Sequence, residues 1–295
     1  MNDEARELPS DQFANRTTNI YRLARKNARG MALTEFSRAE LIRLIDFPGL
    51  PLQGMRSETI KAGRSSLVVK TEFPFGTGKI SVAYKRIRRR NWFKSMTGSV
   101  RSHRAARAWR LGHALRKRGI DTPCPIAVVI PRKRRVGADA FLATEWVDDA
   151  TTLSEFLRRV QFFEHDEQRR KINAVAQSLG QLLGKMHAAG VRHRDLKPSN
   201  LLIVEQGRKI RSMIVDLDGA VLARRVSRLI RCRNLSRLVI GTQTEETVTR
   251  TVQCRFLRAY FETSSLNSVS WKLFWRELER ETRIRFARKQ RRRAA

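Results

Sequence analysis

Apolar residues recur with two different periods along the chain, and the change of period divides it. From about residue 55 to residue 90 the alternation is that of strands. Glu58 to Gly63 and Ser65 to Phe73 alternate across a bend at Gly63, Pro74 to Gly78 reads as a turn, and Lys79 to Arg86 reads as a third strand. Helical spacing follows over Ser99 to Lys117, through Val100, Ala105, Ala108, Leu111 and Leu115. Ile126 to Ile130 and Ala140 to Val147 return to strand, separated by the basic turn Arg132-Lys133-Arg134-Arg135. Leu153 to Val160 then opens a helical half. Its longest periodic run is Gln168 to Ala189, with Ile172, Val175, Leu179, Leu182, Leu183 and Met186 on one face. Two short apolar runs follow, Leu201 to Val204 and Met213 to Val215. From Val221 the chain reads as helical and Arg-rich to its end, with Trp271, Leu273, Phe274, Trp275, Leu278 and Ile284 on one side of the last helix. Ahead of the strands, Asp3 to Lys26 is polar and reads as disordered or loosely helical. Thr34 to Ile45 reads as a short amphipathic helix, with Ser37 and Glu40 as a capping box and Phe47-Pro48-Gly49 as its stop.

The densest polar chemistry lies where the long helix gives way to a short apolar run, at His193-Arg194-Asp195-Leu196-Lys197-Pro198-Ser199-Asn200. This matches H-R-D-L-x-x-x-N, the catalytic loop of protein kinases. The spacing suits phosphoryl transfer. A carboxylate, Asp195, reaches the incoming hydroxyl, and an amide oxygen five residues later, on Asn200, meets the Mg2+ that holds the phosphates. Lys197 lies between them and places a positive charge near the transferring group. Downstream, Met213-Ile214-Val215-Asp216-Leu217-Asp218-Gly219 reads as a buried strand ending in acids, where kinases place a magnesium Asp. Asp216, the first acid after the strand, is the candidate. Val82-Ala83-Tyr84-Lys85 is close to V-A-I-K, so Lys85 is the candidate for the ATP α- and β-phosphates, with a solvated strand lysine as the other reading. Gly63 marks the place of the phosphate loop, but G-x-G-x-x-G is absent and a plain turn explains Gly63 equally. Glu145-Trp146-Val147 stands where a hinge offers backbone groups to adenine, which makes Glu145 and Val147 nucleotide-binding candidates.

Taken with Gly119-Ile120-Asp121-Thr122-Pro123-Cys124-Pro125-Ile126-Ala127 and the D-x-D ending at Asp218, the chain resembles the lipopolysaccharide kinases of the Kdo/WaaP type. Arg231 to Leu238 and Arg255 to Tyr260 are similar to that family's C-terminal helices. The resemblance implies an α+β, two-lobed protein-kinase-like fold, with a small β-rich first lobe over 55–147 and a helical second lobe over 148–285. Residues 1–54 are then an N-terminal extension and 286–295 a basic tail. It also implies ATP and Mg2+ as cofactors, and an inner-core sugar, Kdo or heptose, as acceptor at the cytosolic membrane face. The chain departs from protein kinases in two places. It carries no A-P-E and no activation loop, which favours a non-protein acceptor. No Asp or Glu occurs between Lys85 and Asp121, so the acid that usually pairs with the strand lysine is expected from outside that helix, with Asp216 the first candidate.

Charge sharpens the choice of partner. There are 61 Lys and Arg against 28 Asp and Glu, a net charge of +33. Such a surplus favours an anionic partner, either nucleic acid or an anionic membrane surface, and it suits an acidic glycolipid acceptor. No nucleic-acid recognition motif accompanies the charge, so nucleic acid is not the expected partner. The run Arg285 to Arg293 is read either as a solvated, frayed terminus or as a lipid contact. Three cysteines at wide spacing, Cys124, Cys232 and Cys254, suit neither a disulfide framework nor a zinc site. Met1 to Ser10 is polar and acidic, unlike a secretory signal, and no apolar run approaches the roughly 20 residues of a membrane span. The expected setting is cytoplasmic, peripheral to the inner membrane. Two rivals stand beside the sugar kinase: an atypical protein Ser/Thr kinase, and a pseudokinase that only binds.

Overall fold

The computed structural model describes residues 19–54, 57–63, 66–88, 104–132, 139–207, 209–266 and 269–294. The chain divides into two compact units, one of residues up to Arg116 with Pro123–Asp148, the other of Lys117–Thr122 with Asp149 onward.

Among the described residues the first unit is a seven-stranded sheet with two α-helices. Its strands are β1 (Ile20–Ala24), β2 (Ala28–Leu33), β3 (Glu58–Ala62), β4 (Ser66–Phe75), β5 (Gly78–Ile87), β6 (Pro125–Pro131) and β7 (Ala140–Glu145), in the order β1-β2-β6-β7-β5-β4-β3. Every neighbouring pair is antiparallel. Alternation decides the faces, as the strand period of two requires. Val82 and Tyr84 of β5 enter the core with Val69, Phe73 and Phe141, so Lys85 falls on the opposite face. The first strand differs from the expectation of a loose polar segment over Asp3 to Lys26. In β1 only Tyr21 and Leu23 turn inward, and two inward residues are too few to show as alternation in the sequence. Residues 1–18 of that segment lie outside the described residues. Helix α1 (Arg38–Asp46) buries Leu41, Leu44 and Ile45, but Ser37 makes no side-chain cap bond, so the expected capping box does not form. Pro74 and Phe75 belong to β4, which shortens the β4–β5 turn to Gly76-Thr77. Helix α2 (Arg104–Arg116) packs on β6 and β7; the expected helical residues 99–103 and most of the basic turn at 132–135 lie outside the described residues.

The second unit is mostly helical. It holds β8 (Ala150–Thr152), α3 (Leu153–Val160), α4 (His165–Ala188), β9 (Val191–His193), β10 (Leu201–Gln206), β11 (Lys209–Ile214), β12 (Ala220–Leu222), α5 (Arg228–Thr242), α6 (Arg250–Thr263) and α7 (Trp271–Ala294). The capping box absent from α1 occurs at α3, between Thr152 and Glu155. Helices α4 and α6 approach closely because Gly180 and Gly184 carry no side chain; an added Cβ would lie 2.4 Å from the Phe256 carbonyl at one and 2.6 Å from the Tyr260 carbonyl at the other. Residues 117–122 dock on β11. Thr122 Oγ1 donates to the Ile214 carbonyl at 2.7 Å, and Arg211 pairs with Asp121 at 3.0 Å. That docking gives the Gly119-to-Ala127 stretch a structural reason. The basic run at the chain's end is not frayed: it continues α7. The apolar side of α7 is narrower than its sequence suggests, with Phe274 and Leu278 buried but Trp271 and Leu273 exposed.

Candidate active site

In the second unit, β9 delivers the chain into the catalytic-loop residues, and one histidine organises them. His193 is fully buried. Its backbone N–H donates to Asn234 Oδ1 at 2.8 Å, its Nε2 donates to the Asp216 carbonyl at 3.1 Å, and its Nδ1 accepts the Asp195 N–H at 3.3 Å. These bonds fix a neutral ring protonated at Nε2. Burial, the first cause, lowers its pKa and keeps the proton count at one. One side chain therefore sets the backbone of both Asp195 and Asp216.

Asn200 adds a second tie. Its amide nitrogen donates to the Asp195 carbonyl at 2.8 Å and lies 3.4 Å from Asp195 Oδ2, while its own carbonyl accepts the Val215 N–H at 3.0 Å. With the NH2 so committed, the amide group left to meet a cation is Oδ1. Lys197 Nζ lies 2.9 Å from Asp195 Oδ2, and the Asp195 side chain stays 55% exposed. Both of these contacts, from Asn200 and Lys197, are made by Oδ2 and neither by Oδ1. Asp216 adopts the left-handed backbone conformation, φ 59° and ψ 52°, an arrangement costing on the order of 1–3 kcal/mol that the His193 bond helps to hold. Asp218 is buried in the short helical turn Leu217–Gly219 that follows.

Helix α5 supports this loop from behind. Gly241 meets Pro198 so closely that a Cβ would lie 2.4 Å from Pro198 Cδ. Asn234 accepts from His193 and also lies 3.4 Å from Nε2 of His187. His187 is fully buried, its pKa pushed down to about 3 by burial and then by the Arg231 guanidinium. Arg231 is 4% exposed and donates to the carbonyls of Val226, Ser264 and His187 and to the Tyr260 hydroxyl. A buried cation is thus satisfied by neutral acceptors. Sequence reasoning missed Arg231, Asn234 and His187 as supports of the site. Their signal was there: Arg231, Asn234, Leu235 and Leu238 recur at helical spacing and share the buried side of α5.

The first unit positions its candidates by sheet register. Lys85 sits between Val68 of β4 and Leu142 of β7. Gly63 lies between β3 and β4, with its N–H on the Ser66 carbonyl at 2.9 Å. A Cβ there would meet only that oxygen, at 3.5 Å, so the chain itself does not demand a glycine. Glu145 is 6% exposed and bonds Cys124 twice: its N–H donates to the Cys124 carbonyl at 2.8 Å, and its Oε2 accepts the Cys124 N–H at 3.0 Å. Its amide is therefore already committed within the unit. Arg116, at the end of α2, approaches the same carboxylate at 4.0 Å. The polarity usual between such a helix and its sheet is reversed, since the helix supplies the cation. Val147 follows after Trp146, whose N–H donates to Ser81 at 3.0 Å. Burial pushes the thiols of Cys124 and Cys232 up to about 12, and all three cysteines are free. No described helix is long and apolar enough to cross a membrane.

Magnesium suits oxygen donors, commonly one or two protein groups with the rest from phosphates and water. Asn200 Oδ1 and the Asp216 carboxylate fit such a set. Among the described residues no group of three His, Cys, Asp or Glu forms a self-sufficient metal cage.

Comparison with known proteins bears on the whole arrangement. A solved structure, WaaP in complex with acyl carrier protein, is similar in fold, with a TM-score of 0.58 at 20% identity over 82% of this chain and 94% of that one. Two curated kinases match locally. Human ribosomal protein S6 kinase alpha-1 is 36% identical over 70 residues, and the serine/threonine-protein kinase AfsK of Streptomyces griseus is 33% identical over 75. These matches cover 24% and 25% of this chain but only 9% of each relative. The model of the lipopolysaccharide kinase (Kdo/WaaP) family matches residues 60–260, more than half of the chain. The protein belongs to that family and has its protein-kinase-like fold.

Proposed function

We propose that the protein transfers the γ-phosphoryl group of ATP to a hydroxyl of a lipopolysaccharide inner-core sugar, Kdo or heptose. The observation that carries this is the Asp195 carboxylate, held by Lys197 and Asn200 at one oxygen on a side chain that stays 55% exposed. In the transfer, the acceptor oxygen bonds to the γ-phosphorus as the bridging P–O bond to ADP breaks. Asp195 orients the acceptor hydroxyl and takes its proton. Lys197 balances the charge that spreads over the transferring group. Lys85 holds the α- and β-phosphates, Gly63 leaves room for them, and the hinge residues Glu145 and Val147 offer backbone groups to adenine. Since the Glu145 N–H is committed to Cys124, its carbonyl is the group proposed for that contact. Asn200 and Asp216 would hold Mg2+, which supplies charge neutralisation at the phosphates when bound.

The acceptor assignment rests on family membership and on the charge of +33, which suits an anionic glycolipid. The same charge supports work at the cytosolic face of an anionic membrane, with the exposed basic end of α7 as the contact. The test is incubation with γ-labelled ATP and separated lipid fractions. Label in a Kdo- or heptose-bearing glycolipid is the expected result. Label in added protein alone would favour the Ser/Thr kinase reading, and no ATP turnover at all would leave a binding module.

A further inference from the structure

Helices α5 and α7 are laced along their seam by a ladder of Arg–Glu pairs. Arg228 meets Glu277 at 2.6 Å, and Arg233 meets Glu281 at 3.2 Å. The acceptors on α7 recur every four residues, and the next position is Arg285 instead of an acid. Its Nε donates to Ser236 Oγ at 3.1 Å, beside Arg237 of α5. Arg237 spends one donor on the Arg233 carbonyl, at 2.6 Å. The third rung is therefore cation on cation, both half-buried, with no described carboxylate in ion-pair distance of either. The repulsion is felt: after burial, Arg285 is the next cause lowering the Arg237 pKa, while the charge of Asp195 acts in the opposite direction. After burial, the charge acting most on Arg285 is that of Glu281, so Asp195 acts on Arg237 alone, and α5 is held against the Asp195 loop by Asn234 on His193 and Gly241 on Pro198.

Two half-buried guanidiniums facing each other are costly unless an anion completes them, and their planar donors match an oxyanion in geometry. We infer that Arg237 and Arg285 form an oxyanion subsite for the acceptor, taking a carboxylate or phosphate that lies near its reactive hydroxyl and so presenting that hydroxyl to Asp195. The inference rests on the reading of Asp195 as the transfer base. It adds what that reading lacks, a reason for the enzyme to prefer a charged acceptor.

The test uses the full chain and a soluble probe, a Kdo-bearing inner-core oligosaccharide stripped of its acyl chains so that membrane affinity plays no part. Binding is measured by calorimetry without ATP, for the intact probe, its carboxyl methyl ester and its dephosphorylated form. Charge-assisted bonds of this kind are worth about 1.5–3 kcal/mol, so the protein should prefer the intact probe by about 10–100-fold over whichever form has lost the recognised anion. The two altered forms tell carboxylate from phosphate. R237Q should remove most of that preference. R285E completes the ladder with an acid, so it should fold at least as well, melt no lower and lose the preference entirely. R258Q, an exposed position on α6 paired with Glu262, controls for the general surplus of charge and should keep the preference. Equal affinity for all three forms in the wild type, no binding of the intact probe, or an equal loss in R258Q and R285E overturns the subsite. Phosphoryl transfer by D195N is read separately. Undiminished transfer there removes the base assignment, whereas a lost base with an intact preference in R285E removes the subsite alone.

Discussion

The catalytic-loop region of the second unit and the lysine strand of the first are positioned by different means. Around Asp195, side chains bond to backbone at nearly every step: His193 to Asp216 and Asn234, Asn200 to Asp195, and Arg231 to four acceptors. The backbone of Lys85 is placed by strand pairing, between Val68 and Leu142, and helix α2 of its unit turns an arginine toward Glu145. A site set by register tolerates changes in neighbouring side chains, because the ladder bonds are backbone bonds. A site set by side chains depends on each of them. Mutations behind the catalytic loop should therefore harm more than comparable ones near Lys85.

The largest effect is expected at Arg231. R231M removes a buried cation and orphans four acceptors, and should lower unfolding free energy by about 3–5 kcal/mol, read by denaturant melts. N234A comes next. It leaves the His193 N–H and the His187 Nε2 proton without an acceptor, at about 1–3 kcal/mol each, and should depress kcat more than the KM for ATP, because it loosens the loop and not the lysine strand. If its kinetics match wild type, the loop does not depend on this support.

Acid should reveal the buried histidine. His187 has a folded pKa near 3, below its ordinary 6.5, so between those values the unfolded chain binds a proton that the folded chain refuses. Stability should be full above pH 6.5 and fall as pH drops, by about 1 kcal/mol over the first unit. H187Q should flatten that part of the curve in melts taken from pH 7 to pH 4; an unchanged slope would remove His187 as its source. The smallest effect is expected on the surface. R288E, at an exposed position of α7, should weaken binding to anionic vesicles by about 1–2 kcal/mol, since it removes one positive charge and adds a negative one. Unaltered binding leaves the helix end as merely solvated.

Much of this was legible in the sequence, for identifiable reasons. Strands β4 to β7 announce themselves because their inward residues are large and apolar, and α4 because its apolar stripe is long. Asp195, Lys197, Asn200 and Asp216 stand at spacings that transfer chemistry needs. The supports were harder to read. Arg231 and Arg233 lie two residues apart on one Arg-rich helix, yet the first is buried and the second exposed, and residue type alone cannot separate them. Strand β1 was obscured because an edge strand buries few side chains. The capping box at Ser37 failed although the residue types were right, because a cap also needs the side chain turned back on its helix.

The division of labour between the two regions is tested most directly by one paired measurement, ATP affinity and phosphoryl transfer in D195N and K85M. The account predicts that D195N binds ATP as wild type does while transfer falls by about 10²–10⁴, and that K85M loses ATP affinity by about 10–100-fold. Transfer by D195N at the wild-type rate, or ATP affinity untouched in K85M, would contradict it.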